Sequence, residues 1–203
     1  MAPILPAGID LEYDGRYRAM FCYKAKNYAL YDGRRVTLKG SALRSRGMEP
    51  YLKRLSDHLI HFLLGVRPDS PVPAMETMRA QITARTLPVA DVAKTENLSQ
   101  SSDSYERLIA GGGKPRRASA EAGLQMTPRP AMGDRVTYYL TTKVKGKTSD
   151  WLRARPVSLF DPVSAPYDVD GYLKRIDDWW ERYGPFLGAT PKRTGDQDEL
   201  ILE

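Results

Sequence analysis

Cysteine and histidine are nearly absent from this 203-residue chain, which has one of the first, Cys22, and two of the second, His58 and His61. A lone cysteine excludes a disulfide within the chain and suits a reducing compartment. Zinc sites take three or four protein ligands, so His58 and His61, three apart with only Cys22 to join them, read as structural or solvated. No apolar run approaches the roughly 18 residues of a membrane-spanning helix. The opening Met1-Ala2-Pro3-Ile4-Leu5-Pro6 lacks the basic-then-apolar pattern of a secretory signal. These absences predict a cytoplasmic protein with no membrane partner. A glycine-rich loop ending in Gly-Lys-Ser/Thr is also missing, which removes the phosphate cradle of P-loop nucleotide binding. Two-metal phosphoryl transfer needs carboxylates that hold ions about 4 Å apart. Near the amino terminus Asp10, Glu12 and Asp14 would share one side of a strand, with no second acidic strand motif beside them. Glu12 is therefore at most the neighbour of a metal site completed elsewhere, and a polar strand edge is the alternative.

Positive charge is abundant, and it is concentrated. The chain carries a net charge of +6, yet Arg16 to Arg54 alone contains eleven basic residues against two acids, a balance of +9. The remainder is slightly acidic. A field concentrated in this way draws in a polyanion; a solvated basic face is the other reading.

Up to residue 47 the pattern is that of β-structure. Tyr17, Ala19, Phe21 and Tyr23 alternate with Arg18, Met20, Cys22 and Lys24, a period of two with one apolar-aromatic face. A second strand over 27–31 meets the tight-turn pair Asp32-Gly33 and returns through Val36, Thr37 and Leu38. Three strands enclose no core of their own, so they must pack on the rest of this chain or on another. A helix is predicted from Pro50, with Leu52, Leu55, Leu59 and Phe62 at helical spacing and Gly65 to end it. Arg67 to Pro73 reads as a connector, 74–85 as a second helix, 87–92 as a short extended piece, 105–110 and 117–125 as short helices. Val136 to Thr142 reads as a strand, and a proline-rich stretch over 156–166 leads to a last helix over 169–186. On that helix Trp179 and Trp180 are expected in the core. The fold class is α+β, because β-structure comes first and helices follow.

Particular motifs carry a resemblance. Gly8-Ile9-Asp10-Leu11-Glu12-Tyr13-Asp14-Gly15-Arg16-Tyr17, followed by Tyr23-Lys24-Ala25-Lys26-Asn27-Tyr28-Ala29-Leu30, resembles the palm of family B DNA polymerases just downstream of their catalytic Asp-Thr-Asp motif. There a Leu-Glu-Leu-Glu-Tyr-Glu-like strand precedes a Lys-Lys-Arg-Tyr-like motif. Lys26 and Tyr28 match its Lys-x-Tyr core, whereas Ala25 and Asn27 depart from its flanking basic positions. Lys39-Gly40-Ser41-Ala42-Leu43-Arg44-Ser45-Arg46-Gly47-Met48-Glu49-Pro50 is similar to the passage from palm to thumb, with Arg46 matching the second of its arginines and Ser45 replacing the first. Lys94 to Ser99 with Tyr105, Gly133 to Leu140, and Tyr167 to Tyr172 resemble later thumb segments in the right order.

The resemblance implies a short antiparallel β palm piece over 1–47, a mostly helical thumb over 48–188 and a flexible tail over 189–203. It implies a DNA-directed DNA polymerase part that holds primer-template duplex, active as a nucleotidyltransferase only with a catalytic chain that supplies exonuclease, fingers and palm aspartates. In the family those parts lie upstream, so this chain is expected to be a split or fragmentary carboxy-terminal region. Mg2+ is expected in the catalytic chain and no cofactor in this one. Lys26 and Tyr28, two apart on a strand and so facing the same way, would steady the primer terminus. Lys39, Arg44 and Arg46 would contact phosphates, and Arg116 and Arg117, beside Gly111-Gly112-Gly113, would close over the duplex on a flexible loop or else stay solvated. Gln197 to Leu202 is similar to the start of a sliding-clamp peptide but lacks its closing aromatics, a solvated acidic tail being the alternative. Location would be the nucleoid. A stand-alone, sequence-independent nucleic-acid-binding protein is the alternative function.

Overall fold

A computed structural model describes residues 15–44, 47–144 and 149–188. The period-two stretch forms β1 (Ala19–Lys24), which pairs antiparallel with β2 (Asn27–Tyr31), and β2 pairs with β3 (Val36–Lys39). Phe21, Ala29 and Leu38 stand opposite one another across the three strands, so they share one face. That face packs on this same chain: Phe21 meets Phe186 edge-on at 5.1 Å and Tyr23 lies 5.4 Å from Tyr183. The small sheet thereby joins one continuous apolar core, which answers where its unpaired face goes.

Pro50 fixes the first turn of α1 (Pro50–Leu63), and Gly65, at φ +68, lets the chain turn out of it. After it come α2 (Val72–Thr83), α3 (Val89–Val92), β4 (Lys94–Asn97), α4 (Ser102–Ala110), α5 (Ala118–Gly123), β5 (Arg135–Leu140), α6 (Asp150–Arg153), β6 (Ala154–Pro156) and α7 (Val169–Tyr183). The α+β class holds, but four sequence expectations need correction. The piece over 87–92 is not extended; it contains the helical turn α3. The second helix starts at Val72, two residues before expectation, because proline is tolerated in a first turn. Neither β4 nor β6 was anticipated. Lys-Thr-Glu-Asn has no strand pattern, and β4 exists because β5 supplies backbone partners, a Thr95–Thr137 hydroxyl bond at 2.9 Å and a Tyr138 hydroxyl that donates to Glu96 at 2.9 Å. Finally, Trp180 is 40% exposed while Trp179 is buried. The stripe of α7 that faces inward is Tyr172, Ile176, Trp179 and Tyr183, and one further residue rotates the side chain about 100° off it.

The interior is rich in tyrosine, and most of its phenols are hydrogen-bonded, the buried Tyr167 hydroxyl being an exception among the described residues. Tyr51 donates to the carbonyl of Tyr172 at 3.0 Å, and the Tyr172 hydroxyl accepts from the Leu140 amide at 2.9 Å. Trp179 donates its indole N–H to Ser56 at 3.0 Å. Buried Glu49 pairs with Arg175, and Lys94 lies 3.7 Å from the same carboxylate. Burial raises the pKa of Tyr51, Tyr138 and Tyr172, and neighbouring Glu49 and Glu96 add to it at Tyr51 and Tyr138 respectively. In the unfolded chain these phenols ionise near pH 10. Their folded-state values are higher, so their contribution is complete below about pH 10 and is lost as pH rises above it. The urea midpoint should hold up to about pH 10 and then fall, with tyrosinate absorbance appearing together with unfolding. Tyrosinate that forms while the chain stays folded would contradict this packing.

Candidate nucleic-acid interface

The β1–β2 hairpin closes through Ala25 and Lys26, with Lys24 paired to Asn27. Lys26 sits in that turn at φ 62, a left-handed conformation that lysine rarely adopts. The expectation that Lys26 and Tyr28 lie two apart on one strand is thus overturned: β2 begins at Asn27, and the turn aims Lys26 independently of the pleat. Tyr28 lies within β2 between Cys22 and Lys39. Cys22, Tyr28 and Lys39 therefore share the sheet face opposite the core-packed one, with Tyr28 half-buried and Lys39 exposed.

Beyond Lys39 the chain runs through Gly40 alongside the hairpin turn. Arg44, exposed, donates to the carbonyl of Leu38 at 3.4 Å. Lys26, Lys39 and Arg44 are so gathered at one end of the first sheet. Among the described residues none of the three makes an ion pair, and their field is uncompensated there. At the opposite end, Asp32 accepts the backbone N–H groups of Arg34 at 2.7 Å and Arg35 at 2.9 Å. Those two bonds, more than any other cause, hold the Asp32 carboxyl below its usual pKa.

Arg116 and Arg117 are elsewhere and are held. Arg116 donates to Glu121 at 2.7 Å and lies over the Trp151 ring at 4.4 Å. The Arg117 amide donates to the Tyr105 hydroxyl at 3.1 Å, and its guanidinium reaches Ser99 at 3.4 Å. Their partners belong to α4, α5 and α6 and the turn before α4, so this segment is anchored to the second sheet's helices. Arg46, Glu12 and Gln197 to Leu202, named from the sequence, lie outside the described residues.

His58 lies 2.9 Å from an Asp69 carboxylate oxygen, and the His61 ring bonds the carbonyl of Asp57 at 2.6 Å. Among the described residues no three His, Cys, Asp or Glu side chains converge as a metal-ligand set. Nor is any helix among them long and apolar enough to cross a membrane. One residue that matters here was passed over in the sequence: Asn27, whose side chain holds the hairpin turn. Its only signal was an asparagine beside a turn, a position where this side chain bonds nearby backbone.

No protein-family model matches the chain. It is 24% identical over 174 residues to a DNA polymerase of Desulfurococcus sp. (strain Tok), covering 85% of this chain and 22% of that protein. It is 25% identical over 174 residues to a DNA polymerase of Thermococcus aggregans, covering 84% of this chain and 9% of that one. The fold matches the family B DNA polymerase from the hyperthermophilic archaeon Pyrobaculum calidifontis at a TM-score of 0.61 and 21% identity, covering 87% of this chain and 22% of the other. The chain spans about a fifth, or less, of the polymerases it matches. The resemblance to family B DNA polymerases read from the motifs holds, in sequence and in fold.

Proposed function

We propose that this chain holds primer-template duplex as the palm and thumb part of a family B DNA polymerase, and that synthesis requires a second chain. The observation that carries this reading is the end of the first sheet, where Lys26, Lys39 and Arg44 converge without an acidic partner among the described residues while Tyr28 shares a face with Lys39. A polymerase must grip duplex regardless of sequence, and phosphate contacts supply affinity without reading bases. Lysine at the hairpin tip meets a phosphate as a point charge. Tyr28 offers a ring to a sugar edge and a hydroxyl that donates to a backbone oxygen. Mg2+ and the carboxylates that bind it belong, on this reading, to the catalytic chain with its exonuclease, fingers and palm aspartates. A sliding clamp docked on Gln197 to Leu202 would be a further partner, and the nucleoid the place of work.

Fluorescence anisotropy with two primer-templates of unrelated sequence tests the reading. Both should bind alike, and log affinity should fall against log salt by roughly 0.9 per phosphate neutralised. A strong preference for one sequence, or binding indifferent to salt, would overturn it. The chain alone should incorporate no nucleotide. Mixed with a polypeptide bearing the palm aspartates, it should restore extension, and Tyr28→Ala should cut that extension far more than it lowers the urea midpoint. Normal extension by the variant would remove Tyr28 from the grip.

A further inference from the structure

Asn27 bridges two stretches of chain that sequence places fifteen residues apart. Its amide nitrogen donates to the carbonyl of Ala25 at 3.0 Å, inside the hairpin turn, and its amide oxygen accepts the backbone N–H of Ala42 at 2.8 Å. One partner is an acceptor and the other a donor, which fixes the orientation of the amide. Gly40 passes beneath the same turn at φ +82. A Cβ there would stand 2.2 Å from the carbonyl oxygen of Lys26 and 2.4 Å from the amide oxygen of Asn27, so a side chain at position 40 would force the two stretches apart. Ala42 is held from the other side as well, because Tyr183 of α7 donates to its carbonyl at 3.3 Å.

We propose that Asn27 is a positioning residue: it fastens the hairpin tip to the segment after β3, so that Lys26, Lys39 and Arg44 form one preorganised phosphate-binding edge. This rests on the duplex-holding reading above. The affinity of such an edge depends on how little its cations must be ordered on binding. Geometry then outweighs one further charge. Lys26 keeps its left-handed conformation because the carbonyl before it is tied to Asn27, and Lys39 keeps its aim because the chain that follows cannot leave the turn.

The decisive variant is Asn27→Arg, which adds a cation to the edge and deletes the link to Ala42. If charge alone governed binding, this variant would hold primer-template more tightly, with a salt slope steeper by about 0.9. The expected result is the reverse: binding about tenfold weaker than wild type at equal salt, from three cations that must now be ordered on binding. Equal or tighter binding would overturn the proposal. Amide hydrogen exchange in the chain without DNA provides a readout that a general loss of stability would not mimic. The Ala42 amide should exchange much faster in Asn27→Ala and Asn27→Arg, while Ile176 in α7 stays protected. Asn27→Asp, whose carboxylate still accepts from Ala42, should restore the protection. Unchanged Ala42 exchange in Asn27→Ala would also overturn the link. If wild type fails to bind primer-template, the proposed function falls, and the exchange measurements still decide whether Asn27 holds the segment.

Discussion

Asp168→Ala is expected to remove about 3–5 kcal/mol of stability, the cost of stranding one member of a buried ion pair. Asp168 and Arg153 pair at 2.7 Å with side chains 5% and 6% exposed. Arg153 also donates to the carbonyl of Thr141 and to Asp150, both at 2.8 Å, and its Nε has no partner among the described residues. Without Asp168, the guanidinium keeps only Asp150, itself 58% exposed, as a charged partner. The same carboxylate caps α7 by accepting from Gly171 at 3.2 Å, worth about 1 kcal/mol. Asp168→Asn retains the cap and isolates the charge, so its loss should be intermediate. A urea titration checks both. A loss below about 1 kcal/mol for Asp168→Ala would mean that solvent reaches the pair and screens it. The site is also concerned, because α7 ends in Tyr183, whose hydroxyl and ring hold Ala42 and Tyr23.

The second large effect concerns DNA. Lys26→Ala with Lys39→Ala should weaken primer-template binding about a hundredfold at 0.1 M salt. A counterion-release slope of about 0.9 per contact gives roughly tenfold for each phosphate contact at that salt. The salt slope should become shallower by about two units, and the loss should be the same for every duplex sequence. Both lysines are exposed and make no ion pair among the described residues, so the urea midpoint should stay near that of wild type. An unchanged slope would show that these lysines do not meet phosphates, even if affinity fell.

Much of this architecture was legible in one dimension. Period-two alternation gave β1 its inward Phe21 and Tyr23, and helical spacing gave α1 its buried stripe and placed Trp179, though not Trp180, in the core. These signals survive because each element's amphipathic pattern is local and has to match its own repeat. The +9 segment was equally visible, and the sheet at whose end Lys26, Lys39 and Arg44 gather lies inside it. Part of what failed depended on partners that only the fold brings alongside. Lys-Thr-Glu-Asn became β4 because β5 lay alongside, and the trait that makes it a strand belongs to its neighbour. Arg116, read as a loose cation, is taken up by Glu121 and Trp151.

By itself the sequence determined the α+β class, the inward faces of the longest elements, the concentration of positive charge and the likeness to family B DNA polymerases. Tertiary structure alone decided where that charge is gathered. Lys26 left the strand for a left-handed turn, and Asn27 and Gly40 fastened that turn to the chain beyond Lys39. The reason is physical. Charge and hydrophobic period are properties of residues and survive any folding, whereas the aim of a cation depends on hydrogen bonds and close backbone approach between segments fifteen residues apart, which exist only once the chain has closed on itself.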